Sequence, residues 1–226
     1  MLKDKGERWL FAAALATVAG CVDLIAYFVL YGVFTAHMSG NTVRAAAAAE
    51  QQQWVEAAIH AMPIPLFVAG VMLGVLIGHV VETLKLTKRY APTLVLEAIA
   101  LGGFIVLSPG VDRTHESLTW VFVATLATAV VAMGLQNATI RRVSGTNVRT
   151  TYITGMLTDF AEHVMKAILH EEPTRPALIA GSMWLAYLAG AGAGGVLYLH
   201  AGAIAMCLPA VLLLILAFVE RPEMQN

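Results

Sequence analysis

Apolar residues in this chain do not form narrow stripes. They gather into near-continuous blocks whose lengths approach the ~20 residues that a helix needs to cross a hydrocarbon core. Six blocks stand out, over approximately 9–34, 60–81, 91–108, 118–138, 177–199 and 201–219. A helix apolar all round needs an apolar solvent, so each block is expected to be a transmembrane helix. Two further stretches, about 35–58 and 143–172, mix apolar and polar positions and carry Arg44, Glu50, Asp159, Glu162, His163 and Lys166.

Whether the mixed stretches cross is decided by charge, because cytoplasmic loops retain an excess of Lys and Arg. With six crossings and the amino terminus inside, Lys3, Lys5, Arg8, Lys85, Lys88, Arg89, Arg141, Arg142, Arg149, Lys166, Arg175 and Arg221 face inward, 12 of the 14 basic residues. Only Arg44 and Arg113 fall outside. Letting 35–58 cross would move Lys85, Lys88 and Arg89 to the outer face, so an eight-span topology is disfavoured. Both mixed stretches are therefore expected to be partial helices that dip in or lie at the surface, where protein or a wet cavity covers the exposed backbone. This topology implies a multi-pass inner-membrane protein with both termini cytoplasmic.

Composition agrees with the pattern. The 226 residues are 58% hydrophobic and 13% charged, with a mean hydropathy of +0.73. No basic stripe with interleaved aromatics suggests nucleic acid. Cys21 and Cys207 lie inside apolar runs without metal or redox spacing and are both expected to be buried packing residues. Lys3, Lys5 and Arg8 followed by Val18-Ala19-Gly20-Cys21 imitate a lipoprotein signal, but the apolar run continues past Cys21, and cleavage there is not expected.

The two halves of the chain align. Ala19-Gly20-Cys21-Val22-Asp23 matches Met133-Gly134-Leu135-Gln136-Asn137 at an offset of 114. Val33–Gly40 matches Val148–Gly155 at 115, and Phe67–Gly70 with Gly74 matches Tyr187–Gly190 with Gly194 at 120. Three blocks in order predict a duplication, with one repeat over 9–108 and the other over 118–219 in a single membrane domain spanning 1–226. Three spans per repeat start the second copy from the opposite side, so the repeats are expected to be inverted, each with a re-entrant helix after its first span. Such architectures place solute sites near the midplane between repeats.

The paired motifs GCVDLIAYF with FTAHMSGNTV, and AMGLQNATIRR with VRTTYITGMLTDF, resemble those of the YoaK-like family of bacterial six-helix membrane proteins, over about residues 8 to 220. The resemblance implies the membrane fold and carries no established substrate. Where a threonine is expected in a TGN triplet, this chain has Ser39, which keeps the hydroxyl.

Candidate residues follow from polar groups in apolar surroundings. Asp23 lies deep in the first block, where a carboxylate costs about 2.5–3.5 kcal/mol to insert and needs a partner or water. Tyr27 and Tyr31 follow at i+4 and i+8, so the three are expected along one helix face. Asp23 is read as a substrate or proton site, or as a structural carboxylate bonded to another helix. The second copy carries Asn137 at the same place, after Gln136, with Arg141 one turn on. Arg141 or Arg142 is expected to anchor the interface, the alternative being a pair with Asp23.

Ser39-Gly40 and Thr154-Gly155 fall where each partial helix should begin, with Asn41 and Thr42 following in one copy and Thr158 and Asp159 in the other. Hydroxyl residues cap helix starts, and free amides there attract anions. The two starts are expected either to form the solute site or simply to cap re-entrant turns. Glu97 is a second acid within a span, read as a proton-coupling group or as a partner of His79 or of another helix. His37 titrates near neutrality or serves as a hydrogen-bonded structural residue. Small residues at every fourth position, Gly70-Gly74-Gly78 and Ala186-Gly190-Gly194, predict close helix packing.

No GxSxG, HExxH, Walker loop or metal-spaced histidine cluster is present, so no enzyme, metal or cofactor is expected. The leading expectation is a secondary transporter for a small polar solute such as an anion or weak acid, with Asp23 as the coupling or orienting residue. A passive channel-like facilitator and a non-transporting scaffold are the alternatives. The expected partners are the lipid bilayer and the solute, with oligomeric state left open.

Overall fold

The computed structural model describes residues 5–111, 118–144 and 153–220, and these are helical with no strand among them. Lys3, Arg113, Arg149 and Arg221, and the 148–152 part of the second motif, lie outside the described residues. The helices are α1 (Lys5–Val29), α2 (Met38–Glu50), α3 (Trp54–Ala61), α4 (Pro63–Thr83), α5 (Ala91–Leu107), α6 (Trp120–Ser144), α7 (Ile153–Ile168), α8 (Arg175–Ala201) and α9 (Cys207–Val219). Short 3₁₀ turns over Ser108–Gly110 and Gly202–Met206 follow α5 and α8.

Among the described residues, five stretches are long and apolar enough to cross a membrane: Gly6–Val29, Trp54–Thr83, Ala91–Gly110, Trp120–Val143 and Arg175–Val219. The last, at 45 residues, contains both α8 and α9. Three boundaries differ from the apolar blocks. The first block was expected to remain helical to 34, but α1 stops at Val29 because Tyr31 and Gly32 take positive φ angles of 52° and 87°. The second span begins at Trp54, inside a stretch read as mixed, because Met62 is itself helical and joins α3 to α4. The fourth runs on to Ser144, past Arg141 and Arg142.

Helix α1 runs alongside α8 in the same direction, and α6 alongside α4. Backbones meet at glycine. A Cβ on Gly20 would collide with the carbonyl of Tyr187, and one on Gly190 with that of Thr17. In the other pair a Cβ on Gly70 would lie 2.6 Å from the Val131 carbonyl, and one on Gly134 2.6 Å from that of Phe67. No larger residue permits these approaches, which explains the small-residue stripes.

One end of the bundle gathers the starts of α1, α5 and α8 with the ends of α4, α6 and α9. There Trp9 Nε1 donates to Ser182 Oγ at 2.9 Å, the Phe11 and Tyr90 rings pack at 6.0 Å, and Tyr90 Oη donates to the Arg142 carbonyl at 3.3 Å. Arg142 also lies 3.7 Å from Glu82 and over the Tyr90 ring. It is an anchor at the helix end and does not pair with Asp23. Cys21 is buried as expected, but Cys207 is exposed. It opens α9 on a face with Leu208, Val211, Leu214 and Ile215. Such an apolar face is at home in lipid, so an apolar run does not by itself bury a thiol.

Candidate functional site

The site is built from the return of the chain after α1. With α1 ended by Tyr31 and Gly32, residues 33–37 fold back beside the helix they have just left, and α2 starts at Met38. Asp23 holds this return. Its Oδ1 accepts from Thr35 N at 3.0 Å, Thr35 Oγ1 at 2.8 Å and Ala36 N at 3.3 Å. Its Oδ2 meets His37 Nδ1 at 2.5 Å and accepts from Tyr187 Oη at 2.7 Å. Five partners satisfy a carboxylate that is only 4% exposed, which is how a charge becomes tolerable inside an apolar bundle.

The rest of the return is clamped from α2. Asn41, fully buried, accepts from Phe34 N at 3.1 Å and donates to Phe34 O at 2.7 Å. Arg44 donates to the Gly32 carbonyl and, at 3.3 Å, to Tyr27 Oη, while its guanidinium lies over the Phe34 and Tyr27 rings. A cation at the end of α1 complements its free carbonyls, so Arg44 has a local structural role.

Beside this clamp lies a cavity of about 490 Å³ lined by Ala36, His37, Met38, Ser39, Phe67, Val68, Val71, Met72, Asn137, Arg141, Ile153 and Thr154. It receives the first residues of both α2 and α7. The free amides at the start of α2 favour negative charge, and Arg141 adds a cation, whereas no carboxylate is among the described lining residues. Phe67, Val68, Val71 and Met72 of α4 make an apolar wall opposite. Burial alone disfavours a charged His37, but the hydrogen bond and negative charge of Asp23 outweigh it and hold the His37 pKa above its ordinary value. With Nδ1 on Asp23, Nε2 is the ring nitrogen left for a group in the cavity. Chemically, the arrangement suits a small anion with an apolar part.

Of the residues picked out from the sequence, the structure brings His37, Ser39, Asn137, Arg141 and Thr154 together on this cavity. Asp23 stands behind it and reaches it through His37, whereas Tyr27 is off the cavity, held by Arg44. Tyr31, expected on their helix face, has left the helix altogether. Gly40 packs against the Phe34 ring, and Gly155 is buried within α7. Thr42 and Thr158 are exposed and donate to the carbonyls one turn back, those of Met38 and Thr154. Asp159 is exposed on α7. Ser39 does not cap α2: the cap position belongs to His37, and no side chain bonds the helix start. Gln136 faces α1 and donates to the Leu15 carbonyl at 3.2 Å. Glu97 is sealed in the core, and His79, its suggested partner, is exposed elsewhere. Among the described residues, no three His, Cys, Asp or Glu side chains group as metal ligands.

A family model described as a protein of unknown function, DUF1275, matches residues 11–219. The chain belongs to the DUF1275 family. Its relatives include the UPF0700 transmembrane protein RA0705 of Rhizobium meliloti (strain 1021), 28% identical over 208 residues that cover 90% of this chain and 82% of the relative. Another is the UPF0700 transmembrane protein YoaK of Bacillus subtilis (strain 168), 27% identical over 151 residues, 66% of this chain and 64% of the relative. No solved structure matches the chain. This DUF1275 member is accordingly a membrane protein, by its relatives and by its apolar helices.

Three residues of the site were missed from sequence. Thr35 and Tyr187 complete the shell of Asp23, and Arg44 clamps the return. Thr35 sits within the aligned motif and Tyr187 opens the third repeated block, where its counterpart is Phe67. That one polar difference in an otherwise apolar block was a readable signal.

Proposed function

We propose that this protein is a secondary carrier for a small organic anion or weak acid, bound in the cavity between the starts of α2 and α7. The observation that carries the reading is the convergence of two helix starts, Arg141 and His37 on one space with no described carboxylate in its lining. In this reading Asp23 is a positioning residue: it orients His37 and pins the return, and does not touch solute.

The architecture that the reading uses is six crossings in two inverted repeats, with α8 and α9 as separate spans divided at Gly202–Met206. Contacts between the halves support it. Gly20 against the Tyr187 carbonyl and Gly190 against Thr17 correspond, position for position in the aligned blocks, to Gly134 against the Phe67 carbonyl and Gly70 against Val131. Exchanging the halves turns one set of contacts into the other. Both re-entrant helices begin at the same cavity, as broken elements do around midplane solute sites. The protein is placed in the bacterial inner membrane, with the end that carries Lys88, Arg89, Arg141 and Arg142 in the cytoplasm.

Counterflow in proteoliposomes tests this, with labelled lactate, succinate and sulfate as probes. Uptake accelerated by the same unlabelled anion on the far side is expected. Uptake without acceleration would identify a facilitator, and no uptake of any anion while labelled cations or sugars enter would remove the anion reading.

A further inference from the structure

Glu97 is the acid that the cavity does not use. It lies in the second turn of α5, is 0% exposed, and neither carboxyl oxygen has a hydrogen-bond partner among the described residues. Its neighbours one turn away are Leu94 and Leu101, both fully buried, and Thr93, whose hydroxyl is already given to the Tyr90 carbonyl at 2.8 Å. The buried core to which α5, α9 and the turn before α9 contribute, with Ala98, Phe104, Met206 and Leu213, is apolar.

The titratable and charged groups on the packed elements are elsewhere. On α4 these are His79 and Glu82, both exposed, and on α6 they are Arg141 and Arg142 near one helix end. Cys207 is exposed at the start of α9, and Glu220 beyond its end is bonded to the backbone at the start of α5. None of these reaches Glu97. An ionised carboxylate at 0% exposure with no partner among the described residues is too costly to hold in such a place, so the group seen here is the neutral acid.

Depth adds a second observation. The antiparallel α5 and α6 pair Tyr90 with Arg142 and Gly103 with Thr128, which sets Glu97 level with Gly134 and Leu135. Within a turn of that level Gln136 Oε1 is also buried without a partner, and the next residue, Asn137, is on the cavity wall. Side-chain oxygens unpaired in one conformation and at one depth of the bundle are what a group that changes partners during a cycle requires.

We propose that Glu97 is the proton-binding site of this protein, the group through which a proton is carried with the solute. In the conformation described, the carboxyl is protonated and sealed. When α5 and α6 separate enough to admit water, the O–H bond breaks, the proton passes to a water molecule, and the carboxylate is hydrated until it takes up another. This assignment rests on the carrier reading for its coupling, though not for the protonation itself.

Two measurements on the reconstituted full chain test it separately. In infrared spectra at pH 7, wild-type protein is expected to show a protonated carboxylic-acid carbonyl band that Glu97→Gln lacks, and the band should shift on transfer to D2O. A spectrum unchanged by the substitution, or a band that never exchanges, overturns the proposal. In vesicles, Glu97→Gln should keep lactate counterflow within about twofold of wild type and lose accumulation driven by a pH gradient. Accumulation that persists in the variant overturns coupling through Glu97. No counterflow by wild type with any probe would instead strike the carrier reading, and the infrared result would stand on its own.

Discussion

The phenol of Tyr187 on α8 donates to Asp23 on α1 at 2.7 Å, across 164 residues of sequence. In the other half the corresponding positions are Phe67 and Asn137, and both line the cavity. The first pair therefore sits in a filled polar cluster, whereas the pair at the aligned positions borders a space. Tyr187→Phe copies the other half and removes one hydrogen bond to a buried carboxylate, worth about 1–3 kcal/mol. The expected result is a lower melting temperature in detergent with the helical content unchanged, read by circular dichroism.

The glycine contacts predict a contrast within a single helix. Gly190→Ala forces a methyl onto the Thr17 carbonyl, whereas Gly192 has no heavy atom within 4 Å of an added Cβ. Overpacking of this kind costs about 1–3 kcal/mol. Thermal unfolding of Gly190→Ala should shift down clearly while Gly192→Ala stays at or above wild type. Equal shifts would mean that α1 and α8 are not packed at Gly190.

The neighbouring arginines should separate function from stability. Arg141 is on the cavity and exposed, whereas Arg142 packs on Tyr90 and approaches Glu82. Arg141→Gln is expected to weaken lactate counterflow about tenfold, the equivalent of ~1.4 kcal/mol, with little change in melting temperature. Arg142→Gln is expected to lower the melting temperature and leave the apparent affinity alone.

The His37 pairing has a pH signature. Its pKa is raised in the folded protein, with burial opposed and outweighed by Asp23. A raised pKa means that the folded state holds the proton longer than the unfolded state, so this stabilisation is full below about pH 6.5 and fades as pH rises through the folded value. Melting temperatures of wild type should therefore fall as pH is raised from about 6.5. His37→Gln should flatten that slope, and an equally steep slope in the variant would place its origin in another group.

Much of the fold was legible because crossing a membrane demands long apolar blocks, and the blocks for α5 and α8 fall within a few residues of the helices. The repeated motifs also located the starts of α2 and α7, since hydroxyl and glycine residues there interrupt the apolar pattern. Boundaries failed where backbone conformation decided them: apolar Val29, Leu30 and Val33 say nothing of the positive φ at Tyr31 that ends α1. Asp23 was found because an acid in an apolar block is conspicuous, but its partners were not, since Thr35 and Tyr187 meet it only through a chain reversal and a parallel helix. Cys207 misled because an apolar run looks the same whether it faces protein or lipid.

Lys88, just before α5, donates to the carbonyls of Ala217 and Phe218 at 3.0 and 2.9 Å, while Glu220, just after α9, accepts from the backbone of Arg89, Tyr90 and Ala91 at 2.6 to 3.1 Å. Each helix thus has its terminus neutralised by a residue belonging to the other, a reciprocal staple that adds to the apolar seam between them. Sliding one helix along the other would strip both termini at once. The pair consequently travels as a single strut, and any opening of the bundle has to hinge around it, at the seams with α1 and α6.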